Sequence, residues 1–577
     1  MERKHSVSIK KFNPKRFNNL KEIIEYVGKN YGEEVAFRAK TAEKDIFNEI
    51  LYKDYIENIN ALGTALISVG LQGQRIGVIG ENKYEWQEAY LSIVCGTGVV
   101  VPLDKALPEN ELLNLIERSG IEAIFYSEKY TPIMEKIREE KIGNIKYFIS
   151  MESEETYDNV YSQKELVKLG KDLMKNGAKS FTKAKIDNEK MSIMLFTSGT
   201  TAKSKAVMLS HKNICTNLYD ISCVFNLGPG DVILSCLPLH HTFECTVGFL
   251  YPMSTGTTIS FCGGLRHIAE DLKDYRATAM IAVPILFETL YKKLMKEIDK
   301  KGQTNKVKFG KGISNILRRA HIDVRKVLFK EILDNFGGRI RLLVCGGAAY
   351  SPEVEKGLLD IGIPTFQGYG LTETSPVIAA ESLAHRRNGS IGKLLPSVEG
   401  IIIDPDEQGV GELAVKGDSV MLGYYENDEA NREVFTEDGY FKTGDLAYFD
   451  KNDFVYITGR KKSVIVLKNG KNIYPEELEI LINSVEGVKE SFVYGKPDEE
   501  DKDDLKICAK IVYDLDYFEK KDIKDEEEIK KELWNQVKNI NKGVPTYKYI
   551  KEIKITTEEL IKTTTLKIKR HEEIKRI

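Results

Sequence analysis

The segment 197–205 combines residue types that bind phosphate groups. It reads TSGTTAKSK, follows the apolar run 192–196 and precedes Ser210, which has the character of a helix start. Backbone amides, hydroxyl groups and ammonium groups on one loop suit the oxygens of a polyphosphate. It is not a Walker A loop, because the GxxxxGK[ST] pattern cannot be aligned with it. We interpret the segment as a phosphate loop, with a polar surface turn as the alternative.

Four further blocks with reactive or glycine-rich content follow along the chain. They are LPLHHTFE (237–244), GYGLTETSPV (368–377), GYFKTGDL (439–446) and ITGRKKSVIVLKNGKNIYPEELE (457–479), and a basic segment, TTTLKIKR (563–570), comes after them. No cluster of histidine, cysteine and aspartate at metal-ligand spacing surrounds His240 or His241, which disfavours zinc. The eight cysteines contain no CxxC pair, so we expect them to be reduced core residues.

Alternating apolar runs and helical patterns predict how the chain positions these blocks. Seven runs of strand length lie at 75–80, 98–103, 121–127, 191–199, 231–239, 278–284 and 340–348. Their alternation with helical patterns predicts an α/β fold of mostly parallel sheets covered by helices. Ligands of such sheets bind beyond the carboxyl ends of the strands, and several of these runs end in Gly, Ser, Thr or Pro. We therefore expect the site at these ends.

Changes in strand length, turn content and charge density along the sequence predict a division into two domains. After about residue 400 the chain has short strands and hairpin turns, and beyond Arg460 its charge density rises. We expect a large N-terminal domain of stacked sheets and helices, 1–458, with a β-rich subdomain at about 400–458. A small, mobile α+β domain is expected at 459–577.

Composition excludes several classes of protein. The 577 residues are 42% hydrophobic and 30% charged, which is typical of a globular chain. Because 84 Lys and Arg stand against 87 Asp and Glu, there is no global basic field for nucleic acid. The N-terminal region lacks the apolar stretch of a secretory signal, so we expect a cytoplasmic protein.

The basic insertion at 295–335 is expected to be a solvated amphipathic hairpin, with peripheral contact to a membrane or to an anionic ligand as the alternative.

In this order, the blocks resemble the signature segments of the adenylate-forming (AMP-binding) acyl-CoA synthetase superfamily, over about residues 20–570. The LPLxHxFE form with Glu244, the GLTET form with Thr374 and the insertion before Gly346 are similar to the long-chain fatty acid CoA ligase branch. The resemblance implies an ATP-dependent ligase that forms a fatty acyl-adenylate and then a thioester with coenzyme A, with Mg2+ as cofactor. Two alternatives stay open: an acyl-acyl carrier protein synthetase, and a non-catalytic relative that binds nucleotide or acyl groups.

The expected role of each site residue follows from the family motif that it matches. The resemblance implies that Lys567, His241, Thr200 and Glu373 act in catalysis, that Thr200 and Glu373 hold Mg2+, and that Lys462 is the hinge between the domains. It implies ATP or AMP binding by Thr197, Ser198, Gly199, Thr200, Thr201, Lys205, Gly346, Gly347, Ala348, Gly368, Tyr369, Gly370, Thr372, Asp445 and Arg460.

Four positions depart from the family pattern. Ala202, Ser204 and Ala206 stand where Gly, Pro and Gly are usual, and Leu566 stands where Gly precedes the catalytic lysine. A Cβ atom at a left-handed backbone position costs about 1 kcal/mol or more, so we expect an altered loop if Ala202 or Ala206 is left-handed. The charged groups all remain, and we therefore expect tuning of the activity and not its loss.

Overall fold

The computed structural model describes residues 4–6, 11–41, 43, 46–197, 204–348, 350–468, 471–497, 505–563 and 567–577, and the strands of these residues form five sheets.

The first large sheet has eight strands. In spatial order they are Gly423–Tyr424, Lys205–Ser210, Met191–Thr197, Val99–Pro102, Arg75–Ile79, Ala123–Tyr126, Tyr147–Ser150 and Val160–Ser162. The first three pair antiparallel with one another, whereas the remaining neighbours are parallel. The predicted strands within 75–80, 98–103, 121–127 and 191–199 are confirmed.

The second large sheet has nine strands and a parallel centre. In spatial order they are Lys393–Leu394, Val377–Ala380, Thr365–Gly370, Leu342–Cys345, Ala279–Ala282, Val232–Ser235, Thr258–Phe261, Val35–Lys40 and Phe47–Leu51. Pairing is parallel from Thr365–Gly370 to Val35–Lys40 and antiparallel at both ends. The three remaining predicted strands are confirmed here, and with them the α/β class.

Helices connect the strands and build the core between the two sheets. Their bounds are Leu20–Tyr31, Tyr52–Ser68, Tyr84–Val94, Glu109–Ser119, Thr131–Glu139, Gln163–Lys175, His211–Val224, Tyr251–Ser254, Ile268–Asp274, Pro284–Lys300, Thr304–Arg319, Arg325–Leu328, Lys330–Asp334, Pro352–Asp360, Asp428–Val434, Pro475–Asn483, Leu515–Lys520, Glu526–Lys542 and Arg570–Ile574. The largest apolar core joins Tyr90, Phe249 and Leu218 from helical segments to Ile193 and Ile259 from the two sheets.

Three smaller sheets follow the large ones. Glu399–Ile403, Gly411–Lys416, Phe441–Phe449 and Val455–Arg460 form an antiparallel sheet, as the hairpin-rich sequence predicts. Ile465–Val466 then pairs with Asn472–Ile473. The last sheet contains Val488–Pro497, Leu505–Tyr513 and Ile550–Thr556, and it has a core of its own.

Local sequence explains the helix that follows the phosphate loop. Ser210 caps the helix His211–Val224 through a capping box, in which its hydroxyl accepts from the backbone amide of Asn213. The Asn213 side chain in turn accepts from the backbone amide of Ser210. The predicted helix start is confirmed, and it fixes the chain leaving Lys205–Ser210.

Within the described residues, no helix has both the length and the apolar character needed to cross a bilayer. Localisation in the cytoplasm stays a prediction.

Two helices pack so closely that one position requires glycine. A Cβ atom at Gly170, in the helix Gln163–Lys175, would lie 1.8 Å from the carbonyl oxygen of Ala61, in the helix Tyr52–Ser68. No real Cβ atom approaches a backbone oxygen so closely, so any side chain must force the helices apart.

We expect Gly170→Ala to destabilise the protein by about 1–3 kcal/mol through this overpacking. The matched control is Gly312→Ala, because Gly312 also lies inside a helix but a Cβ atom there meets nothing within 4 Å. Thermal melting should show a lower midpoint for the first variant and an unchanged or higher one for the second. Equal midpoints for the two variants would contradict the packing argument.

Candidate active site

The base of the predicted phosphate loop is a two-stranded stem. Thr197 ends one strand, Lys205 begins the next, and the two residues pair in register. The Thr197 hydroxyl also donates to the Lys205 carbonyl, at 3.4 Å. Six of the predicted loop residues, Ser198, Gly199, Thr200, Thr201, Ala202 and Lys203, lie outside the described part of the chain. The predicted Mg2+ ligand Thr200 is therefore not placed.

The stem removes one concern about loop shape. Ala206 pairs with Phe196 inside the strand Lys205–Ser210, so its backbone is extended. Extended backbone accepts any residue, and a Cβ atom there causes no strain. The condition for an altered loop, left-handed backbone, is therefore not met at Ala206. Leu566, like Ala202, lies outside the described residues.

Arg118 anchors the second side of the stem. It lies in the helix Glu109–Ser119 and donates from Nη1 to the Ser204 hydroxyl at 3.0 Å and from Nη2 to the Ser204 carbonyl at 2.7 Å. Its guanidinium also lies 5.6 Å from the centre of the Phe196 ring. The sequence analysis missed Arg118 because 86 residues separate it from its partner and no motif links them.

Glu373 is oriented toward the same stem. It lies in a short 3-10 turn, Thr372–Thr374, and its Oε1 accepts from the Tyr424 hydroxyl at 2.9 Å. Lys205 Nζ lies 4.6 Å from the centre of the Tyr424 ring. Burial and the Glu373 carboxylate both raise the pKa of Tyr424, so the phenol stays protonated and keeps donating. A half-buried, oriented carboxylate suits a hard cation such as Mg2+, so Glu373 fits that role.

Asp445, Tyr369 and Arg460 form one cluster. Asp445 Oδ2 accepts from the Tyr369 hydroxyl at 2.5 Å, and its Oδ1 lies 2.8 Å from Arg460 Nε. Asp445 and Arg460 are register partners on neighbouring strands, which explains their approach. Burial raises the pKa of Asp445, while the Arg460 charge and the Tyr369 hydrogen bond oppose the rise. Three of the predicted nucleotide-binding residues are therefore brought together.

The glycines beside this cluster allow close backbone approach. A Cβ atom at Gly370 would lie 1.8 Å from the Pro376 carbonyl oxygen, and one at Gly346 would lie 2.9 Å from the Phe243 ring. Gly347 has a φ of +86°, which L residues with side chains rarely adopt. Gly346 and Gly368 are neighbours across two strand ends, because a Cβ atom at Gly346 would also lie 3.2 Å from the Gly368 carbonyl oxygen. Ala348 is exposed after this turn, and Thr372 is half-buried.

Lys567 faces this cluster from the C-terminal region. Desolvation by the surrounding protein lowers the pKa of Lys567, and the Arg460 charge lowers it further. The carboxylates of Asp445 and Glu373 raise it. The lysine is nevertheless solvent-exposed, so it lies in an open cleft and not in a core. Its backbone amide donates to the Thr563 hydroxyl at 3.2 Å, which helps to hold the segment that carries it.

The neighbouring basic residues are engaged elsewhere. Lys562 pairs with Glu490 at 2.6 Å, Lys569 pairs with Glu572 at 3.3 Å, and Arg570 pairs with Glu479 at 2.6 Å. All three carboxylates belong to the C-terminal region. Charge alone does not distinguish Lys567 from these residues in the sequence, whereas the contacts do.

The histidines of LPLHHTFE meet an aspartate from the first sheet. His240 is buried, and its Nε2 lies 3.1 Å from Asp104 Oδ1. Ligand atoms of Asp104, His240 and His241 all lie within 4.8 Å of one another. The expectation that no such cluster surrounds the histidines is wrong, because Asp104 is distant in the chain and spacing could not reveal it. The nearby Lys567 charge opposes a cation at this position.

His241 is neutral at physiological pH. Burial and the neighbouring charges of His240 and Lys567 lower its pKa to about 3, although Asp104 opposes the shift. A neutral imidazole can accept a proton or a hydrogen bond, but it supplies no positive charge to a bound carboxylate.

Glu244 is a buried, protonated carboxyl behind these histidines. Its Oε1 accepts from the Ser235 hydroxyl at 2.5 Å, and burial raises its pKa to about 8. Asn82 donates to Ser235 Oγ at 3.2 Å and to the Leu237 carbonyl at 2.6 Å. The sequence analysis missed the role of Asn82, which ties the LPLHHTFE segment to the end of a strand in the first sheet.

Comparison with known proteins identifies the family. The sequence profile of the AMP-binding enzyme family matches residues 25–425, and that of the AMP-binding enzyme C-terminal domain matches residues 462–576. The chain belongs to the AMP-binding enzyme family. The resemblance found in the sequence is thereby confirmed. Tyr369 and Lys567 lie within the two matched regions, and Asp445 and Arg460 lie in the segment between them.

Individual relatives of this AMP-binding enzyme act on fatty acids according to their names. Fatty acyl-CoA synthetase B of Dictyostelium discoideum is 28% identical over 600 residues, which cover 94% of this chain and 87% of that protein. A chloroplastic long-chain-fatty-acid–[acyl-carrier-protein] ligase of Arabidopsis thaliana is 26% identical and covers 76% of this chain and 68% of its own length. ATP-bound MatB from Rhodopseudomonas palustris has the same fold, with a TM-score of 0.75, 22% identity and coverage of 97% and 98%.

Arg118→Ala should weaken ATP binding to this AMP-binding enzyme by roughly tenfold, because the phosphate loop loses two hydrogen bonds at its stem. The matched control is Arg138→Ala, since Arg138, in the helix Thr131–Glu139, also donates to a backbone carbonyl, that of Asp158, which is not part of the loop stem. Calorimetric titration with ATP measures both. Equal affinities of the two variants would show that the anchor does not shape the loop.

Glu244 predicts a pH dependence of stability. Its pKa in the folded protein, about 8, lies above the ordinary value of 4.5. The neutral carboxyl therefore supports folding fully below about pH 4.5, and this contribution is lost as the pH rises toward about 8. The melting midpoint of the wild type should fall relative to that of Glu244→Gln across this range. The control is Glu117→Gln, at an exposed position, whose melting midpoint should differ from that of the wild type by the same amount at every pH. If the midpoint of Glu244→Gln also differs by a constant amount, the raised pKa of Glu244 is contradicted.

Proposed function

We propose that the protein is an ATP-dependent ligase that activates a fatty carboxylate as its adenylate and then transfers the acyl group to the thiol of coenzyme A. The observation that carries this proposal is the position of Lys567, whose charge acts on His241 and which is itself influenced by Asp445, Arg460 and Glu373. The charge of Lys567 is thus coupled to Glu373, which is proposed to hold Mg2+ beside the phosphates, to Asp445, which is proposed to bind the ribose, and to His241, which is proposed to lie beside the acyl carboxylate. The relatives named for fatty acids support the acyl class.

In the first half-reaction, an oxygen of the substrate carboxylate attacks the α-phosphorus of ATP. The new O–P bond forms as the bond to the bridging oxygen breaks, and pyrophosphate leaves with that electron pair. Lys567 reduces the repulsion between the two anions and stabilises charge on the phosphorus. Asp445 and Tyr369 are proposed to bind the ribose and the adenine. Mg2+, held by Glu373 and Thr200, would neutralise phosphate charge.

In the second half-reaction, a thiol, whose proton His241 is proposed to accept, attacks the acyl carbonyl carbon of the adenylate. The C–S bond forms, the C–O bond to AMP breaks, and AMP leaves as the phosphate monoester. We propose that the C-terminal domain rotates about Lys462, which removes Lys567 and brings the segment 466–472 to the site.

The predicted boundary at 458–459 falls inside the strand Val455–Arg460, so we propose that the C-terminal domain starts after Arg460. Lys462 then lies in the short turn Lys461–Ser463 directly after that strand.

Acyl carrier protein is the second candidate acceptor, because one relative is named for that reaction. Both acceptors present a pantetheine thiol, so the chemistry at His241 and Lys567 is the same. The first half-reaction does not depend on the acceptor.

Carboxylate-dependent pyrophosphate exchange tests the proposal across fatty acids of increasing chain length, with hydroxylamine to trap the adenylate. Lys567→Ala should lower the exchange rate by roughly 100-fold or more, because the two anions lose their shared cation. The matched control is Lys569→Ala, which removes a lysine that pairs with Glu572 and should keep near wild-type exchange. Coenzyme A and acyl carrier protein are then compared as acceptors with the best acid.

Two outcomes would contradict the proposal. If no carboxylate supports exchange while ATP still binds, the protein is a non-catalytic nucleotide-binding relative. If Lys567→Ala and Lys569→Ala are equally active, Lys567 does not act on the reacting groups.

A further inference from the structure

The basic insertion exposes a group of large apolar side chains. Within 304–328, Phe309 is 72% exposed, Ile316 is 68% exposed and Val327 is 79% exposed. Ile313, Ile322 and Leu328 are exposed as well, and we call these six residues the insertion patch. Scattered exposed apolar residues are ordinary on a protein surface, but six within one short segment are a marked concentration.

The helix Thr304–Arg319 presents this patch in a fixed orientation. Phe309, Ile313 and Ile316 follow a helical spacing and share one face. The other face is packed, because Val307 and Ser314 are buried there.

Side-chain contacts hold that packed face to the rest of the domain. Lys311 Nζ lies 5.7 Å from the centre of the Tyr291 ring, and Arg318 Nη1 lies 3.9 Å from Asp360 Oδ1. In the segment that follows, Arg325 donates to the Leu359 carbonyl at 2.6 Å. The helix is therefore anchored, and its apolar face points outward as a consequence of that anchoring.

Positive charge surrounds the insertion patch. The segment 304–328 contains seven Lys or Arg residues and one acidic residue, Asp323, although the whole chain is slightly acidic. Asp323 is already paired with Arg325, at 2.6 Å. Lys306, Lys308 and Arg319 are exposed on the helix that carries Phe309. Apolar residues on one face with basic residues beside them are typical of helices that lie flat in the surface of a membrane.

We propose that the insertion patch docks the protein on an anionic lipid surface, with Phe309, Ile313 and Ile316 entering the boundary of the acyl region and the basic residues contacting lipid phosphates. A second copy of the chain fits less well, because two such faces would bring like charges together. Nucleic acid would use the basic residues and leave the apolar ones exposed. The surface is separate from the reaction, so it does not depend on the proposed function.

Flotation of the full-length protein with vesicles tests the proposal. Phosphatidylcholine vesicles that contain phosphatidylglycerol should bind the protein, and vesicles of phosphatidylcholine alone should bind it roughly tenfold less. Phe309→Ser with Ile316→Ser should reduce binding to the anionic vesicles by roughly tenfold or more. Lys306→Glu with Lys308→Glu should reduce it as well, and added salt should weaken the binding of the wild type.

Matched controls separate the patch from general effects of charge and hydrophobicity. Leu265→Ser with Leu383→Ser removes two exposed apolar side chains elsewhere, and Lys175→Glu with Lys190→Glu reverses two exposed lysines elsewhere. Both control variants should bind like the wild type, and all variants should keep the wild-type melting midpoint. Equal binding to neutral and anionic vesicles, no binding, or equal loss in patch and control variants would overturn the proposal. Self-association that the patch variants abolish, without vesicle binding, would assign the patch to a second copy instead.

Discussion

The site depends on a balance of positive and negative charge. The charges meet in the cleft between the C-terminal region and the rest of the chain. Arg460 and Lys567 bring two positive charges to the cleft, and the Arg460 charge lowers the pKa of Lys567. Asp445 and Glu373 offset part of this repulsion. In the proposed reaction, an ATP phosphate would add negative charge at the same place and favour the arrangement in which Lys567 faces the cleft. Release of pyrophosphate would remove part of that charge and reduce the attraction that holds Lys567 there.

Strand pairing and side-chain contacts fix both ends of the predicted phosphate loop. Thr197 and Lys205 are fixed by strand register, and Arg118 holds Ser204 from a helix on the other side of the strand end. Tyr424 lies between Lys205 and Glu373, contacting one through its ring and the other through its hydroxyl. These contacts fix the described residues at the two ends of the predicted phosphate loop.

The sequence is informative where a motif lies at one strand end, and uninformative where partners meet across the fold. Apolar runs predicted the seven strands because each is buried on both faces and bounded by turn residues. The motifs predicted Tyr369, Asp445 and Arg460 as site residues, and strand pairing brings the last two together. Arg118, Asn82 and Asp104 were not predicted, because their partners are far away in the chain and a single sequence contains no signal for such contacts. The predicted domain boundary at 458–459 stays a prediction; the strand Val455–Arg460, which pairs with Phe441–Phe449, spans these residues.

Lys567 also affects the pKa of His241. This effect links the two proposed half-reactions. Burial is the largest cause of the lowered pKa of His241, and the charges of His240 and Lys567 lower it further. Removal of Lys567 takes away one of these causes, whereas Asp104 continues to raise the pKa. In the proposed mechanism, removal of Lys567 would therefore raise the pKa of His241 at the stage when the thiol must lose its proton. The proposed rotation would thus favour His241 as the acceptor of that proton.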